Sequence, residues 1–429
     1  MHPVKHKLES IFPLFGKCLS PRQRRWISLI VAAVALISSS GWSTSSIWQS
    51  AMRAKVNQTE TQANLMATLG NLGGMVGGLP AGIIYEYFGA QVTSVLGGVL
   101  GGVGFVGLSI GTSSVYWREI FSAQDWLVYI FYFLTGSGAA MTYMTTMISS
   151  MENFHGHNRG KVVGILDASI SGGPVLFSLI YNTLFTNGHT ETGEEGLQNL
   201  SGFFLMLAIF FSTMSIFLLL FTGPIREPGE ENADDEVVLI AEGDEEETKF
   251  SEYPFKHFRI WEIVPTFTYF FLVGQMALAS NLQLTYQSNI PTYLHSFDFT
   301  RYNLLFTIMN TLLQTISKFV AGLISDLVAK RANYPRSIVF LIPYACQTLV
   351  LFLSIWFGDN FYMMLVTCVF VGMAYGTCWC QFPVLLGEIF GQKHLPSNLS
   401  WSGLVSGALS KPNVLNLHLF CLFNIFLFH

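Results

Sequence analysis

The chain has 429 residues, of which 51% are hydrophobic, 14% aromatic and only 11% charged, whereas an ordinary soluble domain carries roughly 25% charged residues. That balance excludes a soluble fold and describes a membrane protein. The formal net charge of -5 misleads, because 12 of the 27 acids lie between Glu227 and Glu252 and the remainder is mildly basic.

Residues 1–25 form a polar, basic tail with no cleavable signal peptide, so the first apolar run serves as an uncleaved anchor. Apolar runs of spanning length follow at 26–50, 62–85, 90–111, 125–150, 162–186, 200–224, 261–287, 301–325, 337–357 and 362–387, with an eleventh from Ser397. Lipid admits only helices or closed barrels, and the alternating ten-residue segments of a barrel are absent. The chain is therefore expected to be an all-α polytopic membrane protein.

Placing the N-terminus in the cytoplasm puts 16 Lys/Arg inside and four outside (Arg53, Lys55, Arg118, Arg301). The positive-inside rule then fixes the orientation. The sequons at Asn57 and Asn199 fall in outside loops, which predicts glycosylation there; a third, at Asn398, lies inside or in the membrane and is expected to be silent. The membrane implied is the plasma membrane or an endolysosomal one.

In the second span Gly70, Gly74, Gly78 and Gly82 recur every four residues, so one face lacks side chains and a neighbouring helix can approach its backbone. Tight static packing and sliding during a conformational cycle both fit this row. The segment 225–260 is too acidic and polar to bury a core and reads as a disordered cytoplasmic linker between bundles at 26–224 and 261–429. Within it Asp235, Leu239 and Ile240 have the spacing of an acidic dileucine signal for a sorting adaptor; a plain solvated linker is the alternative. After Ser397–Ser410, Lys411-Pro412-Asn413 breaks the pattern. Eleven spans fit and a twelfth does not, so the expectation is a truncated or variant C-terminus.

No GxxxxGK[ST] phosphate loop exists, so ATP is not the driver. Cys368, Cys378 and Cys380 share one apolar run without zinc spacing and read as core thiols. No cofactor, metal site, nucleic-acid partner or set of enzymatic nucleophiles is indicated.

Two marks recur along the chain. Gly82-x-x-x-Glu86-x-x-Gly89 and Gly322-x-x-x-Asp326 are 240 residues apart, the second leading into Lys330 and Arg331. Glu152 followed by Arg159-Gly160 and Glu388 followed by Lys393 are offset by 236. Two parallel halves across a linker are the sign of one large transporter architecture. With Gly173-Pro174 in the fifth span, these marks resemble the major facilitator superfamily over residues 20–410. The resemblance implies two six-helix bundles, here with the last helix missing, that move a small organic solute by alternating access. Glu152-Asn153-Phe154 through Leu166, and Glu388 through His394, are similar to phrases of the nodulin-like branch, which neighbours the monocarboxylate carriers. Tyr87, Ala90 and Gln91 depart from the superfamily's basic residues, and Asp167 stands where nodulin-like sequences have lysine.

The resemblance implies that Gly82, Glu86, Gly89, Glu152, Arg159, Gly173, Pro174, Gly322, Asp326, Arg331 and Glu388 form the gate. Ionisable groups inside spans suggest a functional site by default. Lys318, eight residues before Asp326 and so about 12 Å deep, stands four before Gly322, where monocarboxylate carriers place a substrate-pairing arginine. Snorkelling to water is its alternative. Gln314 replaces the acid those carriers have one turn earlier. Asp167, roughly 9 Å deep, could carry a co-transported proton or pair statically. Asn71, Gln275, Gln283, Tyr286 and Gln381 are further candidates to line a cavity, or else interhelical contacts. Gly172-Gly173-Pro174 is expected to interrupt the fifth helix, where freed backbone groups could line a cavity, or equally to set a fixed kink. A transporter-like receptor or scaffold is the competing functional class.

Overall fold

A computed structural model describes residues 20–154, 158–186, 197–225, 258–299, 302–332 and 335–409. The sorting motif at Asp235, Leu239 and Ile240, most of the linker, and everything from Ser410 lie outside the described residues.

The described chain is helical throughout. Helix α1, Pro21–Ser39, starts at a capping box: the Gln23 amide donates to Ser20 Oγ, and the Gln23 side chain accepts the Ser20 N–H, with Pro21 at the first helical position. A 3-10 turn over Ser40–Thr44 leads into α2, Ser45–Val56, which Asn57 ends in the left-handed conformation at φ 54°. The first span thus runs beyond the expected 26–50. Helix α3, Glu60–Ser113, has 54 residues, roughly 80 Å at 1.5 Å per residue and more than twice the hydrocarbon thickness. It holds two expected spans, divided at Gly89, whose φ of 82° is costly for any residue with a Cβ.

Helix α4, Val115–Ala123, is a short element the apolar pattern did not mark. There follow α5 (Asp125–Asn153), α6 (Arg159–Leu184), α7 (Leu200–Phe221), α8 (Ile260–Ile263), α9 (Phe267–Ser296) and α10 (Asn303–Leu327). Helices α11 (Leu341–Phe357), α12 (Phe361–Phe390) and α13 (Leu395–Leu409) complete the described chain. Two expectations are corrected. The run expected to span over 261–287 instead forms α9 from Phe267, because α8 is a separate turn, and α9 is not among the stretches apolar enough to cross a bilayer. The fifth helix is not interrupted: α6 continues through Pro174, which forfeits only the hydrogen bond its nitrogen cannot make. Among the described residues, eight stretches are long and apolar enough to cross a bilayer, α3 counting once.

Two compact units divide the chain. One takes in the described parts of Met1–His155, Gly173–His257 and Gly391–Ser400; the other takes in those of Gly156–Gly172, Phe258–Phe390 and Trp401–His429. In the first, α3 packs chiefly against α5 and α7. Its core gathers Trp48, Tyr132, Phe203, Phe204 and Phe211, with Trp48 edge-on to Tyr132 and to Phe204 at 5.4 and 4.9 Å between centroids. The backbone approach runs through Gly73 and Gly77, where a Cβ would strike the Phe133 carbonyl and Ser137. Gly78, by contrast, faces open space, so the expected row of every fourth glycine is only partly a packing face. In the second unit α12 is central, packing on α10, α11 and α9 around Ile290, Leu294, Phe306, Met364 and Cys368.

Candidate functional site

Helix α10 sorts its residues in the sense a membrane helix requires. Leu305, Ile308, Leu312, Ile316, Phe319 and Ile324 are exposed, while Asn310, Gln314, Lys318, Gly322 and Asp326 recur every fourth residue on the buried side. Polar groups are costly in hydrocarbon, so such a row belongs against protein.

At the end of that row, Asp326 is 2% exposed and caps α6 from another helix. Its Oδ1 accepts the Gly160 N–H at 2.9 Å and its Oδ2 the Lys161 N–H at 2.8 Å, filling two donors that a helix N-terminus leaves without partners. Arg336 Nη1 donates to Oδ1 at 2.5 Å, and Arg336 Nε lies 2.7 Å from Glu388 Oε1. Two carboxylates thus share one buried guanidinium, and the fork of arginine suits that bridge. Gly322 completes the contact, since a Cβ there would strike the Gly160 carbonyl oxygen.

The other repeat copies this arrangement within its own unit. A Cβ on Gly82 would strike Ser400 and the Pro396 carbonyl, while one on Gly322 would meet Gly160 and Gly164. The correspondence is 322 − 82 = 240 on one side, and 396 − 160 = 236 and 400 − 164 = 236 on the other. Glu86 occupies the place of Asp326 and accepts from Ser397 Oγ, the position matching Lys161, while His394 Nδ1 lies 2.5 Å from its Oε1. The duplicated acid therefore meets a helix start twice, once through backbone N–H groups and once through side chains. Glu152 accepts from the Tyr85 hydroxyl at 3.0 Å. Gly173 sits against Ser40, beside the half-buried Pro174, and Arg331 is exposed. The buried cation of this cluster is Arg336, and Arg159 lies in the field of Glu388 and Arg336.

Two turns back along α10, Lys318 is 5% exposed. Its Nζ donates to Ser171 Oγ at 2.7 Å and stands 5.9 Å from the centre of the Tyr375 ring, within cation–π range. Ser171 is four residues beyond Asp167 on α6, which puts the 1% exposed Asp167 carboxylate on the same face one turn away. The charges of Asp167 and Lys318 both reach the Cys380 thiol. Neither long-stem snorkelling nor a lone core lysine describes this setting. It can hold an anion at Lys318 with a hydroxyl, an aromatic face and an acid alongside.

Further up the row Gln314 and Gln283 both donate to Asn310 Oδ1, at 2.6 and 2.5 Å, and Asn310 donates to the Cys368 carbonyl at 3.3 Å. Gln381, fully buried on α12, donates to the Ala321 carbonyl at 3.1 Å. Lys318, Gln314, Gln283, Gln381 and Asp167 thus share one unit. Gln275 is half-buried on α9, and Tyr286 packs into the apolar cluster around Cys368. Asn71 is exposed on α3 in the first unit. Asn57 and Asn199 are exposed at a helix end and a helix start, respectively, and Asn199 caps α7 by accepting the Gly202 N–H.

Sequence reasoning passed over Asn310, Ser171, Tyr375, Arg336, His394 and Ser397 as site residues. The every-fourth-residue row from Asp326 back through Lys318 points to Asn310, whereas nothing local marks Ser171 or Tyr375.

A search of curated proteins gave no match. Solved structures of the same fold include the proton:xylose symporter XylE, 14% identical, covering 94% of this chain and 90% of that one with a TM-score of 0.64. They also include the E. coli fucose:proton symporter FucP, 11% identical, covering 94% of each chain with a TM-score of 0.60. The family model for the Major Facilitator Superfamily matches residues 30–410. The repeated helix-start contacts, the all-helical fold and this match lead to one conclusion: the chain is an integral multi-pass membrane protein belonging to the major facilitator superfamily.

Proposed function

We propose that the chain is a secondary transporter that carries a small organic anion, such as a monocarboxylate, by alternating access between bundles at 26–224 and 261–429. Lys318 is the residue that anchors the solute. The observation behind this reading is the buried ammonium itself: an uncompensated lysine at the centre of a spanning helix costs about 2.5–3.5 kcal/mol. Here it is kept 5% exposed, with a serine hydroxyl and a ring for neighbours. An ammonium holds a carboxylate as a point charge without needing the fork of arginine. Asp167 serves as the proton carrier. The related solved structures are described as proton symporters of xylose and of fucose, which supports a small solute with a co-transported proton. Glu86, Asp326, Arg336 and Glu388 set the balance between gate states, and the N-terminus is cytoplasmic.

The test is a counterflow screen in proteoliposomes with labelled monocarboxylates, amino acids and neutral sugars. Saturable exchange of an organic acid is the expected result. Silence across the panel, together with saturable binding to a partner protein, would favour a transporter-like receptor instead.

A further inference from the structure

We propose that the first unit holds an anion site of its own, in which Lys55 on α2 and Arg118 on α4 take up a small oxyanion, a carboxylate or a phosphate group. The inference does not depend on the reading of Lys318, which lies in the other unit.

Packing puts the two cations together. Met52 and Val56 on α2 and Phe121 on α4 share one buried cluster. Lys55 follows Met52 by three residues and Arg118 precedes Phe121 by three, so both stand on the faces that this cluster joins. The charge of Arg118 accordingly reaches Lys55, and both side chains are half-buried. Gln58 follows in the turn that closes α2, where its N–H donates to the Arg53 carbonyl. The neighbouring helix α3 starts at Glu60, about 39 Å along its axis from Glu86. In the assigned orientation this end of the unit faces outside.

Two like charges in a partly dry setting repel, and a carboxylate is the usual remedy. None is supplied here. Among the described residues no acid pairs with Lys55 or Arg118: Glu60 and Glu119 are exposed, and Asp125 accepts from the Gln62 amide. Helix ends cover part of the charge, since Arg118 Nε donates to the Thr112 carbonyl at 3.2 Å and Lys55 sits in the last turn of α2. Each helix end is worth about half a negative charge, which leaves about one positive charge uncovered.

The donors are uncovered as well. Lys55 Nζ and the Nη1 and Nη2 groups of Arg118 have no acceptor among the described residues. Gln58 is 7% exposed, and neither atom of its side-chain amide has a partner there. Desolvated donors without acceptors cost free energy until an acceptor arrives. An oxyanion answers the charge and the donors at once, and the guanidinium fork matches its paired oxygens.

The experiment is thermal unfolding of the full chain in neutral detergent at fixed ionic strength, with sodium chloride replaced stepwise by sodium phosphate or sodium acetate. A second arm replaces phosphatidylcholine by phosphatidylglycerol in mixed micelles. Phosphate or acetate is expected to stabilise wild type saturably. The concentration giving half the effect should rise at least about tenfold in Lys55→Gln and in Arg118→Gln. In chloride, Lys55→Gln should unfold at a higher temperature than wild type, because it removes a repelling charge and no hydrogen bond. Lys55→Arg and Lys318→Met should both keep the anion response, the second separating this site from Lys318. If Arg118→Gln fails to fold without its bond to Thr112, Lys55→Gln decides. A response to phosphatidylglycerol alone that is lost in Lys55→Gln supports the site, with a lipid headgroup as its source. A response unchanged in Lys55→Gln, no response to any of these anions, or a Lys55→Gln protein that unfolds below wild type in chloride would overturn the inference.

Discussion

Asp326 on α10 takes the Gly160 N–H of α6 at 2.9 Å with the same oxygen that receives the Arg336 guanidinium. One carboxylate thus closes a helix start and neutralises a buried cation. Asparagine at this position offers a single acceptor and no charge. Asp326→Asn is expected to lower the stability of the detergent-solubilised protein by about 3 kcal/mol or more, the usual loss when one partner of a buried pair is removed. It should also alter transport rate more than solute preference. A change in preference with the rate intact would exclude a gate role; thermal unfolding and initial uptake rates provide the readings.

Arg336 is predicted to be less replaceable than Arg331. Arg336→Lys keeps the charge but cannot reach Asp326 and Glu388 together in the fork geometry seen at 2.5 and 2.7 Å. A fall in the midpoint of thermal unfolding is expected for Arg336→Lys and none for Arg331→Lys, whose side chain is exposed. Equal effects would show that the buried bridge contributes nothing particular.

Two glycines one turn apart in the repeat frame, Gly322 and Gly78, give a contrast. Gly322→Ala would drive a methyl group into the Gly160 carbonyl and should destabilise by about 1–3 kcal/mol, as overpacking does. Gly78→Ala meets open space and should stabilise α3 slightly, by about 0.5–1 kcal/mol from helix propensity. Thermal unfolding of the two variants side by side decides between a general intolerance of side chains and a contact specific to Gly322.

Asn57 and Asn199 are exposed, and Asn398 is fully buried. Expression in a glycosylating host should therefore yield a protein whose gel mobility shifts on enzymatic deglycosylation. The double variant Asn57→Gln, Asn199→Gln should remove the whole shift. A shift that persists in the double variant would reverse the assigned orientation.

The described stretches that can cross a bilayer were legible because their apolar runs exceed what a soluble helix needs, whereas the runs at 261–287 and from Ser397 gave helices outside that set; the break within α3 was marked by Gly89 alone. The duplication was legible as a spacing: Gly82–Glu86 and Gly322–Asp326 recur 240 residues apart in the sequence. The partners of those acids were not, because Gly160 contributes a backbone N–H and Arg336 was only one more cation in a positive-inside count. Pro174 misled, since a proline's missing hydrogen bond is a local cost that the surrounding packing can absorb without ending a helix. The lysine stood out by being charged in an apolar run. Its neighbours Ser171 and Tyr375 did not, because contacts 147 and 57 residues away along the chain leave no trace in local composition.

The most direct test of the central claim compares wild type with Lys318→Met in proteoliposomes, using the organic acid that exchanges best in counterflow. Methionine keeps the length and apolar body of the lysine stem and removes the charge. The expected result is a fall in acid uptake of roughly 10- to 100-fold, the equivalent of about 1.5–3 kcal/mol for a hydrogen bond to a charged group, with thermal stability held or raised. Acid uptake that survives unchanged in Lys318→Met would contradict the account.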